Sequence, residues 1–369
     1  MDRLFRFVSR IHRNDKGQIF ILFGAMLTAL VGFTAFAVDV GSLVADKRDL
    51  QNAADAMALA GAMELPDANG AQSKATEWAE KNGIEADEIE SIAVNGQSSQ
   101  RPNPQIVVTL KRQHDYYLAQ VVGVDSTDLV VHASAIKTSP GGSNGVVPWG
   151  VLQSEIDSAN IGDQVTLKYS AHEGDTGNYG GMAIDDPSGA STYENDIKYG
   201  SENTVCSESA YLAGSCVPTG PDCASGYCPC HEGQCPLKTG NMRTPTRTGV
   251  EYRLDNTSTS CDTFGEVFTP AGTDTYNIVQ QCNPFIEGSL PSLRVLVVPV
   301  IDSFPTGGSE DVTIEGFALF FLEGFENGTC ASGQDCNIVG RFVRAEVTTG
   351  ALRGVYDQNS LIQFIQLTE

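Results

Sequence analysis

From Val38 to Ala62 the chain reads VDVGSLVADKRDLQNAADAMALAGA, and the residues before it, Gly17 to Val38, carry no charge. No proline occurs between Gln18 and Leu65. Alanine, leucine, methionine, glutamine and arginine favour helix, so one continuous helix is predicted from about Gln18 to Leu65, ended by Pro66. Val40, Leu43, Leu50, Ala54, Met57 and Gly61 fall near one face at helical spacing, interrupted by Lys47. Residues this small let another helix or sheet approach closely. Leu50, Ala54, Met57, Ala58 and Gly61 are therefore read as a face for a partner helix.

The preceding run, Ile19 to Val38 (IFILFGAMLTALVGFTAFAV), would rise about 30 Å as a helix, the thickness of a bilayer's hydrocarbon core. It is read as a transmembrane helix. Residues 1–18 form a basic segment, with Arg3, Arg6, Arg10, Arg13 and Lys16 against Asp2 and Asp15, and the positive-inside rule keeps it in the cytoplasm. The remainder, with 18 basic and 44 acidic residues, is then extracytoplasmic. The rival reading is a cleaved export signal at Ala35-Phe36-Ala37; twenty uninterrupted apolar residues exceed the roughly 7 to 15 of a signal core. Gly24, Thr28 and Gly32 recur every four residues, a small-residue face of the kind that packs helices in lipid and allows self-association.

At 369 residues the chain has room for about two folded parts. Forty-six acidic against 23 basic residues argue against a nucleic-acid partner, which needs clustered Lys and Arg. After the helix, residues 39–65 outside the span, a small α+β module is expected at 66–138. Its pieces are a helix at Ala71 to Asn82 ended by Gly83, strands at Ile89 to Val94 and Gln105 to Leu110, a helix at His114 to Val122, and a strand at Leu129 to Ile136. That order, αββαβ, implies helices on one face of a three-stranded sheet. Residues 139–147, holding SPGGSNG, are read as a linker.

Residues 148–369 are read as a β-rich domain, with strands at Val165 to Tyr169, Leu293 to Ile301, Val312 to Leu322 and Ile338 to Val347. The apolar run of the second, LRVLVVPVI, is read as a central strand in which Pro299 requires a bulge or an edge. The fold class is thus α+β throughout.

All ten cysteines lie here: Cys206, Cys216, Cys223, Cys228, Cys230, Cys235, Cys261, Cys282, Cys330 and Cys336. An even number in an exported region reads as disulfides. Six fall in an insert at 206–235, where fifteen pairings are open. Proximity suggests Cys330 with Cys336, leaving Cys261 with Cys282. Zinc on Cys228, Cys230, His231 and Cys235 is the alternative, but the spacing is not one of the usual paired knuckles.

Gly141-Gly142-Ser143-Asn144-Gly145 fits the hydrolase pattern G-x-S-x-G without the strand-to-helix context that exposes a nucleophile. The acidic turns Glu173 to Asp175 and Asp185-Asp186 lack calcium-loop spacing and are read as solvated. His12, His114, His132, His172 and His231 show no catalytic spacing. No catalytic residue, cofactor or metal is expected. Asp39 stands where the helix leaves the apolar run and limits how far the span slides inward. Asp55, near Gln51 and Asn52, suits polar contacts with a partner or with the globular part.

Lys16-Gly17-Gln18, the span ending in Ala37-Val38-Asp39-Val40-Gly41, then Leu50-Gln51-Asn52-Ala53-Ala54-Asp55-Ala56 and Ala58-Leu59-Ala60-Gly61-Ala62, together resemble the N-terminal module of TadG-like proteins of Flp (tight adherence, Tad) pilus systems. The resemblance covers about Asp15 to Glu64. More weakly, Val147 to Val151, Gly177 to Gly180, Val297 to Val300, Gly316 to Leu322 and Gly340 to Val343 are similar to the C-terminal region of some members. Prepilin-type processing after Gly17 is disfavoured, because the fifth residue after it is Leu22 and not glutamate. The metal-binding Asp-x-Ser-x-Ser of von Willebrand factor A domains is missing at Asp302.

The resemblance implies a membrane-anchored, non-enzymatic component of Flp/Tad pilus assembly or surface adhesion, with other pilus or assembly-machinery proteins as partners. A disulfide-rich binding protein, secreted or surface-tethered and unrelated to pili, is the alternative.

Overall fold

The computed structural model describes residues 18–98, 101–168, 181–186, 189–224, 228–238, 242–272, 274–286, 292–304, 311–330, 336–347, 352–357 and 360–368. The readings placed on Tyr169, His12, His172, Glu173 to Asp175 and Gly177 to Gly180 lie outside them. The chain forms two compact units, one of Met1–Val94, Ile106–Ala135 and Leu367–Glu369, the other of Asn95–Gln105 and Ile136–Gln366.

The first unit is built on helix α1, Gln18–Met63, 46 residues with no proline to break it. Its apolar half, Ile19 to Thr34, is exposed at every position, and burial becomes continuous only near Leu50. Helix α2, Ala68–Lys81, follows after Asp67, whose side chain accepts the Asn69 N–H at 3.0 Å and caps the new helix. Ala71, Ala75 and Ala79 bury one stripe of α2.

Strands β1 (Ile89–Asn95), β2 (Gln105–Asp115) and β3 (Ser126–Thr138) form a sheet in that order. Ile106, Val108 and Leu110 on β2, and Leu129, Val131, Ala133 and Ala135 on β3, are buried at alternate positions. The three expected strands and the first of the two expected helices are present.

Close approach explains the small residues of α1. A Cβ added to Gly61 would lie 2.9 Å from the Ala71 carbonyl oxygen and run into Ile106. Leu50, Ala54, Met57 and Ala58 are fully buried. The face expected to serve a partner helix is therefore covered by the chain's own α2 and sheet. Alanine and glycine are here because two helices and a sheet converge within one small core.

A second correction concerns His114 to Val122. Strand β2 runs on to Asp115, and only a short 3₁₀ turn, Ala119–Val122, follows before Gly123 at φ +88°. His114 continues the strand, where a bulky side chain fits a pleated surface better than a helix, while Tyr116 and Tyr117 lie in the loop that follows it.

In chain order the second unit contains β4 (Pro140–Ser143), β5 (Val151–Leu152), β6 (Gln164–Lys168), α3 (Ala190–Tyr199), β7 (Val205–Cys206), β8 (Gln234–Pro236) and α4 (Arg243–Asn256). After these come β9 (Phe268–Pro270), β10 (Tyr276–Ile278), β11 (Val295–Ile301), β12 (Asp311–Phe325), β13 (Ile338–Val343), β14 (Ala345–Val347), β15 (Leu352–Arg353) and β16 (Ile362–Thr368).

The central sheet has the order β5-β11-β12-β13-β6, with β11 antiparallel to β12 and parallel to β5. All seven residues of β11 are buried, so both faces are covered. On one face Leu296, Val298, Phe320 and Leu322 pack with Trp149, Tyr193, Ile197 and Val250, the last three from α3 and α4. On the other, Val297, Phe317, Leu319 and Phe321 meet Phe268, Tyr276, Ala345 and Ile362 from strands ordered β16-β14-β10-β9.

Four features differ from the reading by sequence. Residues 139–147 are no linker: β4 pairs with β7 and β15, and Val146 and Val147 are fully buried. Besides several short helical turns, the β-rich domain holds two helices of ten or more residues that periodicity did not reveal; α4, for one, buries Thr246, Gly249, Val250 and Arg253 in place of an aliphatic stripe. Gly249 permits the crossing, since a Cβ there would sit 2.7 Å from that of Ile197. The stretch Ile338 to Val347 divides at Arg344 between two sheets. Finally, the insert at 206–235 is part of the core, with Cys235 buried and paired opposite Val312 of β12.

The expectation at Pro299 holds: the ladder between β11 and β12 is shifted between Val300 and Ile301, one residue beyond the proline.

Candidate functional site

The most organised polar site in the first unit surrounds the point where α1 leaves its apolar half. Asp39 is 5% exposed although its helical neighbours Val38 and Val40 are open. Its Oδ1 accepts the N–H groups of Tyr117 at 2.9 Å and Leu118 at 3.0 Å, and Oδ2 accepts Ala119 N–H at 2.7 Å and Leu118 N–H at 3.2 Å. These amides open the 3₁₀ turn, so the carboxylate satisfies donors that the turn itself cannot. Beyond limiting the slide of a span, Asp39 ties the helix to the segment after β2.

One and two turns further along α1, at Ser42 and Asp46, the same connection is repeated. His114, 3% exposed, meets Asp46 Oδ2 through Nδ1 at 2.6 Å and Ser42 Oγ through Nε2 at 3.4 Å. The composition matches a Ser-His-Asp triad, but Ser42 sits inside a helix and donates its hydroxyl to the Asp39 carbonyl at 2.9 Å. The amides of Tyr117, Leu118 and Ala119 are committed to the Asp39 carboxylate and so are not free to serve as oxyanion donors. The trio fastens β2 to α1. Sequence spacing could not show it, because 68 residues separate His114 from Asp46.

Gln51 completes the row: its amide donates to the His132 carbonyl at 2.9 Å and to Asp55 Oδ1 at 2.8 Å. Asp55 is thus joined to the globular part of its own unit through Gln51, which makes the contact with His132. Gly24, Thr28 and Gly32 lie in the exposed half; no atom stands within 4 Å of a Cβ placed on either glycine, and Thr28 donates to the Gly24 carbonyl at 2.9 Å.

The second unit contains a buried polar cluster at the acidic turn Asp185-Asp186, which reads by sequence as solvated: Asp185 is buried because backbone N–H groups satisfy its carboxylate. Asp185 accepts the N–H groups of Glu202 at 2.7 Å and Asn203 at 3.1 Å. Burial, and next the charge and side-chain hydrogen bond of Asp185, push the Asp196 carboxyl up to about 8. Lys238 donates to the carbonyls of Asp186 at 2.8 Å and Gly189 at 3.2 Å, and burial lowers its pKa. Above this cluster Trp149 Nε1–H donates to the Tyr193 hydroxyl at 3.0 Å, with Thr246 at 3.3 Å beyond it. These bonds hold α3 and α4 on the sheet.

The ten cysteines form five disulfides: Cys206–Cys216, Cys223–Cys228, Cys230–Cys235, Cys261–Cys282 and Cys330–Cys336. The alternative zinc set is therefore consumed in bridges. Ser143 lies on β4 and donates its hydroxyl to the adjacent Asn144 carbonyl at 2.8 Å, a strand position and not a nucleophile elbow. Asp302 accepts the Thr313 N–H at 3.1 Å across the β11–β12 turn. Among the described residues no group of three or more His, Cys, Asp or Glu side chains is gathered closely enough to hold a metal ion.

An exposed apolar helix of membrane length that continues without a break as the buried spine of a small α+β unit fits a single-pass membrane protein organised around that helix. Residues 17–64 match the family model described as "Putative Flp pilus-assembly TadE/G-like", so this N-terminal segment is a Tad-family module, as its resemblance implied. The match ends within one residue of the end of α1 and supports a pilus-related role. No curated protein and no solved structure matches the chain.

Proposed function

We propose that the protein is a membrane-anchored, non-enzymatic component of Flp/Tad-type pilus assembly or surface adhesion. Its basic amino terminus stays in the cytoplasm, residues 19–38 cross the membrane, and both folded units stand outside. The observation that supports this most is the coincidence of the Tad match with α1 alone, the one element that is apolar and open along its first half and core along its second. Five disulfides fit an oxidising exterior.

The burial of Leu50, Ala54, Met57, Ala58 and Gly61 moves partner contacts elsewhere. Association with other pilus or assembly-machinery proteins, or with a second copy, is assigned to the membrane half around Gly24, Thr28 and Gly32. The test is deletion in the native host followed by two complementations, one with the full chain and one with residues 1–38 replaced by a cleavable export signal. Pili or adhesion should be lost on deletion and return only with the anchored form. Unchanged piliation and adhesion in the deletion strain would refute the reading and favour a disulfide-rich binding protein unrelated to pili.

A further inference from the structure

The segment that Asp39 holds is itself unusual in what it exposes. Tyr116 to Val124 (YYLAQVVGV) contains no charge and is bounded by Asp115 and Asp125. Its base is closed by Tyr116 N–H to the Asp125 carbonyl at 3.0 Å, and its tip by Val121 N–H to Leu118 and Val124 N–H to Ala119, both at 3.2 Å. With its backbone bonded internally and to Asp39, the loop turns its apolar side chains outward. Tyr117 is 70% exposed, Val121 85%, Val124 49% and Leu118 42%. A water-facing loop built this way forfeits the free energy of burying its largest side chains.

Its position supplies the reason. Three loop amides lie within 3.2 Å of the Asp39 carboxylate, so the loop is within one side-chain length of the first residue after the apolar run. Ala35, one turn back on the same face as Asp39, is partly covered, whereas the other residues from Ile19 to Val38 are open. The cover falls on the membrane side of Asp39. Tyrosine and aliphatic side chains at that depth belong at the boundary of headgroups and acyl chains.

We propose that the loop Tyr116 to Val124 is a second membrane contact, seated in the interfacial layer of the leaflet from which α1 emerges. This rests on the reading that residues 19–38 span a bilayer. The occupant is lipid, because the patch is continuous with the lipid-facing surface of the helix and lacks any charge that would select a polar partner. Asp39 links the two contacts, fixing the first unit's height and tilt against the membrane.

The experiment uses the full chain reconstituted into phosphatidylcholine vesicles, with Tyr117→Trp and Val121→Trp as separate probes. Both positions are exposed enough to take an indole without repacking. Lipids brominated near the carbonyl end of the acyl chain should quench each introduced indole roughly twofold relative to wild type, with a blue-shifted emission and little quenching by aqueous iodide. Flotation with the vesicles reports the span independently. If the protein floats but both indoles are quenched by iodide and not by bromolipid, the loop proposal is overturned and the anchor stands. Failure to float overturns both.

Discussion

Asp39 Oδ2 lies 2.7 Å from the backbone nitrogen of Ala119, eighty residues away in the chain. One carboxylate thereby connects the first residue after the apolar run to the end of β2, and replaces the capping residue that the 3₁₀ turn lacks. The contact is made by main-chain donors, so it constrains the loop without specifying its side chains.

Replacing Asp39 with alanine would leave the amides of Tyr117, Leu118 and Ala119 without their acceptor. A loss of local order in the loop is expected. Hydrogen exchange of the full-length protein in detergent should show protection lost at those three amides while α2 stays protected. Retained protection there would mean that the carboxylate is not what orders the loop.

Gly61→Ala places a methyl group 2.9 Å from the Ala71 carbonyl oxygen and against Ile106. The main chain of α2 must shift, at a cost of about 1 to 3 kcal/mol. Gly24→Ala in the exposed half meets nothing within 4 Å and should leave stability unchanged. Thermal unfolding of the two variants separates intramolecular packing from the membrane face.

Asp196 supplies a pH dependence with a definite sign. Folded, burial and neighbouring Asp185 keep its proton up to about pH 8; unfolded, it ionises near 3.8. Folding takes up a proton between these values, so this contribution falls as pH rises from about 4 to about 8, by at most about 1.4 kcal/mol per pH unit. Asp196→Asn, similar in shape and unable to ionise, should flatten that slope in urea titrations across the window. An unchanged slope would show that Asp196 is ionised in the native state.

Cys261 and Cys282 are both fully buried and close a 21-residue span beside Phe268 and Val295 in one core. Joint replacement by serine should cost about 2 to 4 kcal/mol, because the unfolded chain regains loop entropy and two polar groups enter an apolar site. Denaturant midpoints with and without reductant check this: reduction should lower the wild type further than the variant.

The lipid-compatible apolar run and its helical continuation were legible because lipid tolerates almost no charge and helix disfavours internal proline. Both constraints act residue by residue, and together they mark Ile19 to Val38 and the stop at Pro66. Strands β2, β3, β11 and β12 were visible through alternation or long apolar runs. Helices α3 and α4 were not, since their buried faces use Tyr193, Asp196, Thr246, Gly249 and Arg253, whose burial depends on partners elsewhere in the chain.

The sequence by itself therefore determined that α1 has a lipid-compatible half and a half of small residues suited to close packing. Only the tertiary structure decided what packs there. Glycine and alanine declare how near a neighbour can come and say nothing of which neighbour, so the choice of Ala71, Ala75 and Ile106 over a foreign helix rests on chain connectivity through Asp67. Asp39 obeys the same logic. A carboxylate at the end of a span announces a polar boundary, whereas the amides that satisfy it, 78 to 80 residues on, are chosen by the path of β2.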